Sequence, residues 1–249
     1  MSERAAIPDA LVQQLRRAAH VVVLTGAGIS AESGVPTFRQ AQTGLWAQYD
    51  PQALATPQAF RRQPQLVWDW YAWRRGLVAG VEPNPGHFAL AEMERRVNRF
   101  TLITQNVDSL HQRAGSRAVL ELHGNIARIK CSRDGRVVET WAESDERPPR
   151  CSHCGAFLRP DVVWFGEPIP GGPLLQAADA ASRCDVFFSI GTSALVYPAA
   201  GLAEAALKSG ATVIEINPNR TDLTPHAHLA LQGPSGRLLP ALLQLLRVG

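Results

Sequence analysis

Four short segments carry residue types suited to holding a phosphate-bearing ligand. They are Gly26-Ala27-Gly28-Ile29-Ser30, Gln105-Asn106-Val107-Asp108, Gly191-Thr192-Ser193 and Asn217-Pro218-Asn219. Glycines let backbone N–H groups approach a pyrophosphate, and a helix starting behind them favours its negative charge. Asparagine and serine side chains hydrogen-bond ribose hydroxyls or an amide. Turn formation alone accounts for any one segment, but not for their shared position: each follows a short run of β-branched and apolar residues, at 20–25, 100–104, 185–190 and 211–216. A second constellation is Tyr71 and Arg74 in Trp68-Asp69-Trp70-Tyr71-Ala72-Trp73-Arg74-Arg75. On a helix, residues three apart share a face, where a phenol and a guanidinium can grip a carboxylate through charge-assisted hydrogen bonds. The plainer alternative is a solvated face on a Trp-rich helix. A third group is Cys131, Cys151 and Cys154, with Cys184 apart from them.

The apolar runs read as strands buried on both faces, the mark of a parallel sheet. Helical spacing appears at Leu11, Leu15 and Ala18, in the Ala-rich stretch 198–208, and in 236–247, where Leu238, Leu239, Leu242, Leu243 and Leu246 form the buried side. Strands alternating with helices predict an α/β fold with a doubly wound parallel sheet. All four polar segments then lie at its carboxyl edge, where such folds bind ligands. Two stretches break the rhythm: 34–86, rich in Pro, Gln and Trp, and 126–160, which holds three cysteines and the polar Asp145–Pro149 segment. The expected organisation is one nucleotide-binding domain over 1–34, 87–125 and 161–249, and a smaller module over 35–86 and 126–160.

Apolar residues at 45% and charged residues at 19% suffice for a sizeable core over 249 residues. A net charge of +3, with no Lys/Arg run, argues against a nucleic-acid surface. Lysine occurs only at Lys130 and Lys208, so arginine carries the positive charge. The first residues lack the apolar core of a secretory signal, and no run approaches a membrane span. A cytoplasmic location is expected, and nothing requires more than a monomer. There the cysteines read as metal ligands or core residues rather than disulfides.

A nicotinamide-dependent dehydrogenase fits poorly. Its fingerprint needs a third glycine opening a helix; here the third, Gly34, falls late, and Val35-Pro36-Thr37-Phe38-Arg39 interrupts any helix. A long, irregular loop suits a cofactor that is itself consumed. The stretch from Gly26 through Arg39 closely resembles the NAD-binding signature of the sirtuins. Thr104-Gln105-Asn106-Val107-Asp108, Leu122-His123-Gly124-Asn125, Val163-Trp164-Phe165-Gly166-Glu167 and Gly191-Thr192-Ser193 match further family blocks in order. The resemblance runs from about residue 10 to the C-terminus.

It implies a Rossmann-type domain, a small zinc-containing domain, and NAD-dependent removal of acyl groups from protein lysine, with release of nicotinamide and O-acyl-ADP-ribose. By the same resemblance His123 is the general base toward the ribose hydroxyls, a task suited to imidazole. Gln105, Asn106 and Asp108 hold the nicotinamide ribose and carboxamide, with Asn106 also catalytic. Gly26, Ala27, Gly28 and Ser30 belong to the NAD loop, and Phe38 and Arg39 cover the reacting ring and contact phosphate. Gly191, Thr192, Ser193, Asn217 and Asn219 surround the adenosine half, with Ser235 near the adenine. Val163, Phe165 and Gly166 pair with the substrate backbone in β fashion.

The family's zinc site uses two close cysteine pairs. Here the second pair is Cys151 and Cys154, but the partner expected for Cys131 is replaced by Asp134. Carboxylate is a competent zinc ligand, so a three-Cys, one-Asp site and a zinc-free module both stand open; His153, between chelating cysteines, is the weaker fourth donor. The Tyr71/Arg74 pair, with Ala31-Glu32, resembles the sirtuin branch that removes succinyl and malonyl groups. Alternatives to a deacylase are a mono-ADP-ribosyltransferase and a non-catalytic NAD or ADP-ribose sensor; an intact His123 and Asn106 argue against the sensor.

Overall fold

The computed structural model describes residues 7–37, 44–141 and 146–247. Its main sheet has six parallel strands: β1 (Val21–Thr25), β2 (Phe100–Thr104), β3 (Val119–Glu121), β7 (Val186–Ile190), β8 (Thr212–Asn217) and β9 (Leu229–Gln232). They lie in the order β3-β2-β1-β7-β8-β9, with every pairing parallel. Taken by chain order, that is 3-2-1-4-5-6, the doubly wound nucleotide-binding arrangement. The expected α/β class is therefore found, with two strands in the main sheet beyond the four apolar runs. β3 and β9 are short edge strands, only partly buried, so neither carries a continuous apolar run.

β1 shows why the run at 20–25 folds as it does. Val21 and Val23 enter one core, with α1 (Asp9–Arg17), α6 (Pro85–Glu94) and α10 (Ser235–Arg247). Val22 and Leu24 enter the other, with α8 (Gly171–Ser182) and α9 (Gly201–Lys208). Alternate side chains of one strand thus serve both faces, which removes any polar alternation. Cys184 sits in the second core, its thiol donating to the Ala181 carbonyl at 3.3 Å.

A smaller antiparallel sheet, ordered β5-β4-β6, comprises β4 (Gly124–Cys131), β5 (Val137–Val138) and β6 (Leu158–Val162). It packs on α3 (Pro51–Leu54), α4 (Pro57–Arg62) and α5 (Pro64–Ala79). Pro51, Pro57 and Pro64 each stand at the first turn of their helix, where a missing N–H costs nothing. Asp50 and Thr56 cap two of these starts by accepting from Gln52 N and Ala59 N. α5 buries Val67, Trp70 and Tyr71 in one cluster and Trp68 in another beside the cysteines. No described helix is long and apolar enough to cross a membrane.

Candidate active site

The strand order reverses between β1 and β7, and a cleft of about 790 Å³ opens there. Gly26, Ala27, Gly28 and Ser30 line it from the end of β1, and Gln105, Asn106 and Asp108 from β2. Gly191, Thr192 and Ser193 follow β7, Asn217 and Asn219 follow β8, and Ser235 joins them from the start of α10. His123, Val163, Phe165 and Gly166 come from the junction with the small sheet, and Tyr71 and Arg74 from α5. Phe38 and Arg39 lie outside the described residues.

The glycines have a reason beyond pyrophosphate approach. A Cβ on Gly28 would lie 2.7 Å from Gly191 Cα, and one on Gly26 would lie 2.9 Å from the Gly191 carbonyl. Gly191 has φ of 61°, and Gly28 N donates to its carbonyl at 2.8 Å. The ends of β1 and β7 therefore touch backbone to backbone, which no side chain would permit.

Ser30 is the centre of the polar network. Its hydroxyl donates to Asp108 Oδ2 at 2.6 Å and accepts from Asn106 Nδ2 at 3.0 Å. The Asn106 amide nitrogen also donates to the Gly26 carbonyl at 3.1 Å, tying β2's loop to β1's. Burial pushes the Asp108 carboxyl above its ordinary pKa, opposed by the hydrogen bonds from Ser30 and Leu110 N. His123 Nδ1 lies 3.0 Å from the Gln105 carbonyl. A carbonyl only accepts, so Nδ1 carries the proton and Nε2 keeps its lone pair. Burial lowers the His123 pKa, with the Gln105 contact opposing, so the imidazole is neutral near pH 7.

Several of the predicted residues spend their polar groups internally. Ser235 Oγ donates to Glu32 Oε1 at 2.9 Å, and that carboxylate also accepts Gly236 N, so Glu32 fastens α10 to the β1 loop. Asn217 Nδ2 donates to the Thr192 carbonyl at 2.6 Å. Val163 N donates to the His123 carbonyl and Phe165 N to the Ala55 carbonyl, so at these positions the chain's own backbone uses the N–H groups. Tyr71 is buried, its oxygen accepting from Trp164 Nε1. Arg74 is buried beside it, its guanidinium 5.2 Å from the Trp70 ring centroid.

Sequence reasoning missed two buried histidines behind this network. His87 Nε2 lies 3.5 Å from Ser30 Oγ, and His111 Nε2 pairs with Thr25 Oγ1 at 2.9 Å. Burial takes them down to about 4 and about 3, so both are uncharged. It also missed Leu195, Val196 and Tyr197, exposed apolar side chains lining the cleft. Three consecutive apolar residues after Gly191-Thr192-Ser193 were the available signal.

Cys131, at the end of β4, meets Cys151 and Cys154 with all three sulfurs within 4.8 Å of one another. The Cys131 and Cys154 sulfurs are 3.4 Å apart. Tetrahedral zinc with Zn–S near 2.3 Å sets sulfurs about 3.8 Å apart, so the cluster fits three corners of a structural zinc site. Asp134 falls outside that cluster, its carboxylate accepting Arg136 N at 3.0 Å; Asp134 or water is left to complete the shell. Elemental analysis of protein purified without chelator is expected to give about one zinc per chain. A value near zero would mean a module held by its packing alone.

Comparison with known proteins agrees with this geometry. The model of the Sir2 family matches residues 26–198. A Methylococcus capsulatus protein named NAD-dependent protein deacylase is 49% identical over 247 residues, covering 96% of this chain and 97% of the relative. A crystal structure described as a Sir2 homolog–NAD complex superposes with a TM-score of 0.91 at 45% identity, covering 97% of this chain and 94% of the other. A Sir2–p53 peptide–NAD+ structure superposes with a TM-score of 0.86 at 29% identity, covering both chains fully.

Proposed function

This chain belongs to the Sir2 family, and on that premise we propose that it removes succinyl and malonyl groups from protein lysine in preference to acetyl. The coarser activity is NAD-dependent deacylation of protein lysine. The observation that carries the finer one is a buried guanidinium and a buried phenol, Arg74 and Tyr71, lining the same cleft as His123 and Asn106.

The lining at the strand ends fits NAD. Gly26, Gly28 and Gly191, whose own N–H groups are taken by the Ile190, Gly191 and Ile216 carbonyls, line the cleft without side chains. Ser30, Asn106 and Asp108 offer polar groups for the ribose and carboxamide. When bound, NAD supplies an electrophilic ribose carbon with nicotinamide as its leaving group. The chain's own part is positioning and proton transfer. Ser30 locks Asn106 and Asp108 in one orientation. His123 Nε2, its tautomer set by Gln105, receives a proton from a ribose hydroxyl. The substrate backbone is met by the Val163 carbonyl and the Gly166 N–H, since the Val163 and Phe165 N–H groups are already used. Tyr71 and Arg74 receive the far end of the acyl chain.

The test is one lysine peptide, presented in succinyl, malonyl and acetyl forms, incubated with NAD and followed by mass spectrometry. Loss of the acyl group with matching nicotinamide release, faster for the acidic acyl groups, is the expected result. ADP-ribose added to protein, with the peptide still acylated, would make the chain a transferase. NAD bound and unchanged would make it a sensor.

A further inference from the structure

Trp164 does more than fill the core between α5 and β6. Its indole N–H donates to the Tyr71 oxygen at 3.0 Å. A phenol has one proton to give and lone pairs to accept with. The indole occupies the accepting side, so the hydroxyl proton points elsewhere, and among the described residues none accepts it. The indole is itself clamped. Trp164 N donates to Glu167 Oε2 at 2.9 Å. The Arg159 guanidinium lies 3.2 Å from the indole centroid, and its two terminal nitrogens bind the Glu167 carboxylate at 2.6 and 2.9 Å. Arg159 also donates to the Val162 carbonyl at 2.8 Å. The ring that aims at Tyr71 is thus fixed on its face, at its backbone and through its ion-pair partner.

We propose that Trp164 is a positioning residue for acyl specificity: its indole N–H commits the Tyr71 hydroxyl to donate toward a carboxylate at the end of the acyl chain, beside Arg74. The inference rests on the acyl preference proposed above. An ionised carboxylate only accepts, so a hydroxyl fixed as donor complements it, whereas an acetyl methyl gains nothing from that orientation. Accepting from the indole also polarises the Tyr71 O–H and strengthens it as a donor. Burial raises the phenol's pKa well above its ordinary value, so the proton it must give is retained at working pH.

The experiment is a double-mutant cycle read as the ratio of kcat/KM for succinyl over acetyl versions of one peptide. Trp164→Phe keeps an aromatic ring and deletes the N–H; it is expected to lower the ratio about three- to tenfold, the range of one net hydrogen bond. Tyr71→Phe is expected to lower it comparably, and the double variant to fall no further, because both changes break one interaction. Equal losses on both peptides, or effects that multiply, would overturn the inference. Should Trp164→Phe not fold, site-specific replacement of Trp164 by benzothienylalanine exchanges the N–H for sulfur at nearly constant shape and carries the same expectations. Arg74→Met, measured alongside, separates the two levels. If it lowers the ratio while loss of the indole N–H does not, only the role of Trp164 falls; if it leaves the ratio unchanged, the acyl preference fails and this inference with it.

Discussion

Replacing His123 with alanine is expected to reduce deacylation of an acyl-lysine peptide by about 10²- to 10⁴-fold, the usual contribution of a general base, while NAD binding stays measurable. A base lowers the energy of the transition state more than that of the ground state, so the loss belongs in kcat rather than in cofactor affinity. The structure adds a pH dependence. The base is competent only when neutral, and burial holds the His123 pKa below its ordinary 6.5. Activity should therefore persist through pH 6.5 and decline only as the solution becomes more acidic than that. His123→Ala should remove this acid limb along with most of the rate. A folded His123→Ala protein with full activity, measured by nicotinamide release and peptide mass, would take the base role from this residue.

The base was legible only through the resemblance of Leu122-His123-Gly124-Asn125 to a sirtuin block; the polar strand ends around it were legible because the central strands are buried on both faces. Residues 20–25, 100–104, 185–190 and 211–216 read as strands without any alignment, and the polar residues after each were visible as candidates. Their order in the sheet was not, since local pattern carries no information about which strands pair. β3 and β9 escaped because edge strands of three and four residues are partly solvated and look like loop. Side-chain commitments were equally hidden. Ser235 lines the cleft, and the sequence gives no sign that its hydroxyl is held by Glu32, 203 residues away in the chain. The Trp164–Tyr71 bond spans 93 residues. Gly26 and Gly28 suit a phosphate-bearing ligand by sequence alone, and their contact with Gly191 appears only once β1 and β7 lie side by side. What composition and period can reveal is which surfaces are buried; what closes across the sheet depends on the long-range pairing.

Arg74→Met is expected to lower kcat/KM for succinyl and malonyl lysine by about ten- to a hundred-and-fifty-fold relative to acetyl lysine. The substitution keeps the length and apolar bulk of the side chain and removes the charge and the planar fork. Burial lowers the Arg74 pKa, but an arginine guanidinium keeps its proton in proteins, so the side chain meets the acyl chain as a cation. Facing a carboxylate, it gains charge-assisted hydrogen bonds of roughly 1.5–3 kcal/mol; facing a methyl, it gains none. The difference between acyl groups is thus the quantity to measure, since a defect in folding or in NAD binding would slow both substrates alike. Trp70 provides the control within the site: its ring supports the guanidinium at 5.2 Å, and a methionine can rest on the same surface, so packing around α5 should survive. Parallel kcat/KM determinations on the three acyl forms of one peptide, with Tm recorded for each protein, decide the matter. Equal losses across the three forms would reassign Arg74 to the architecture of α5 and leave the chain a deacylase without preference for acidic acyl groups.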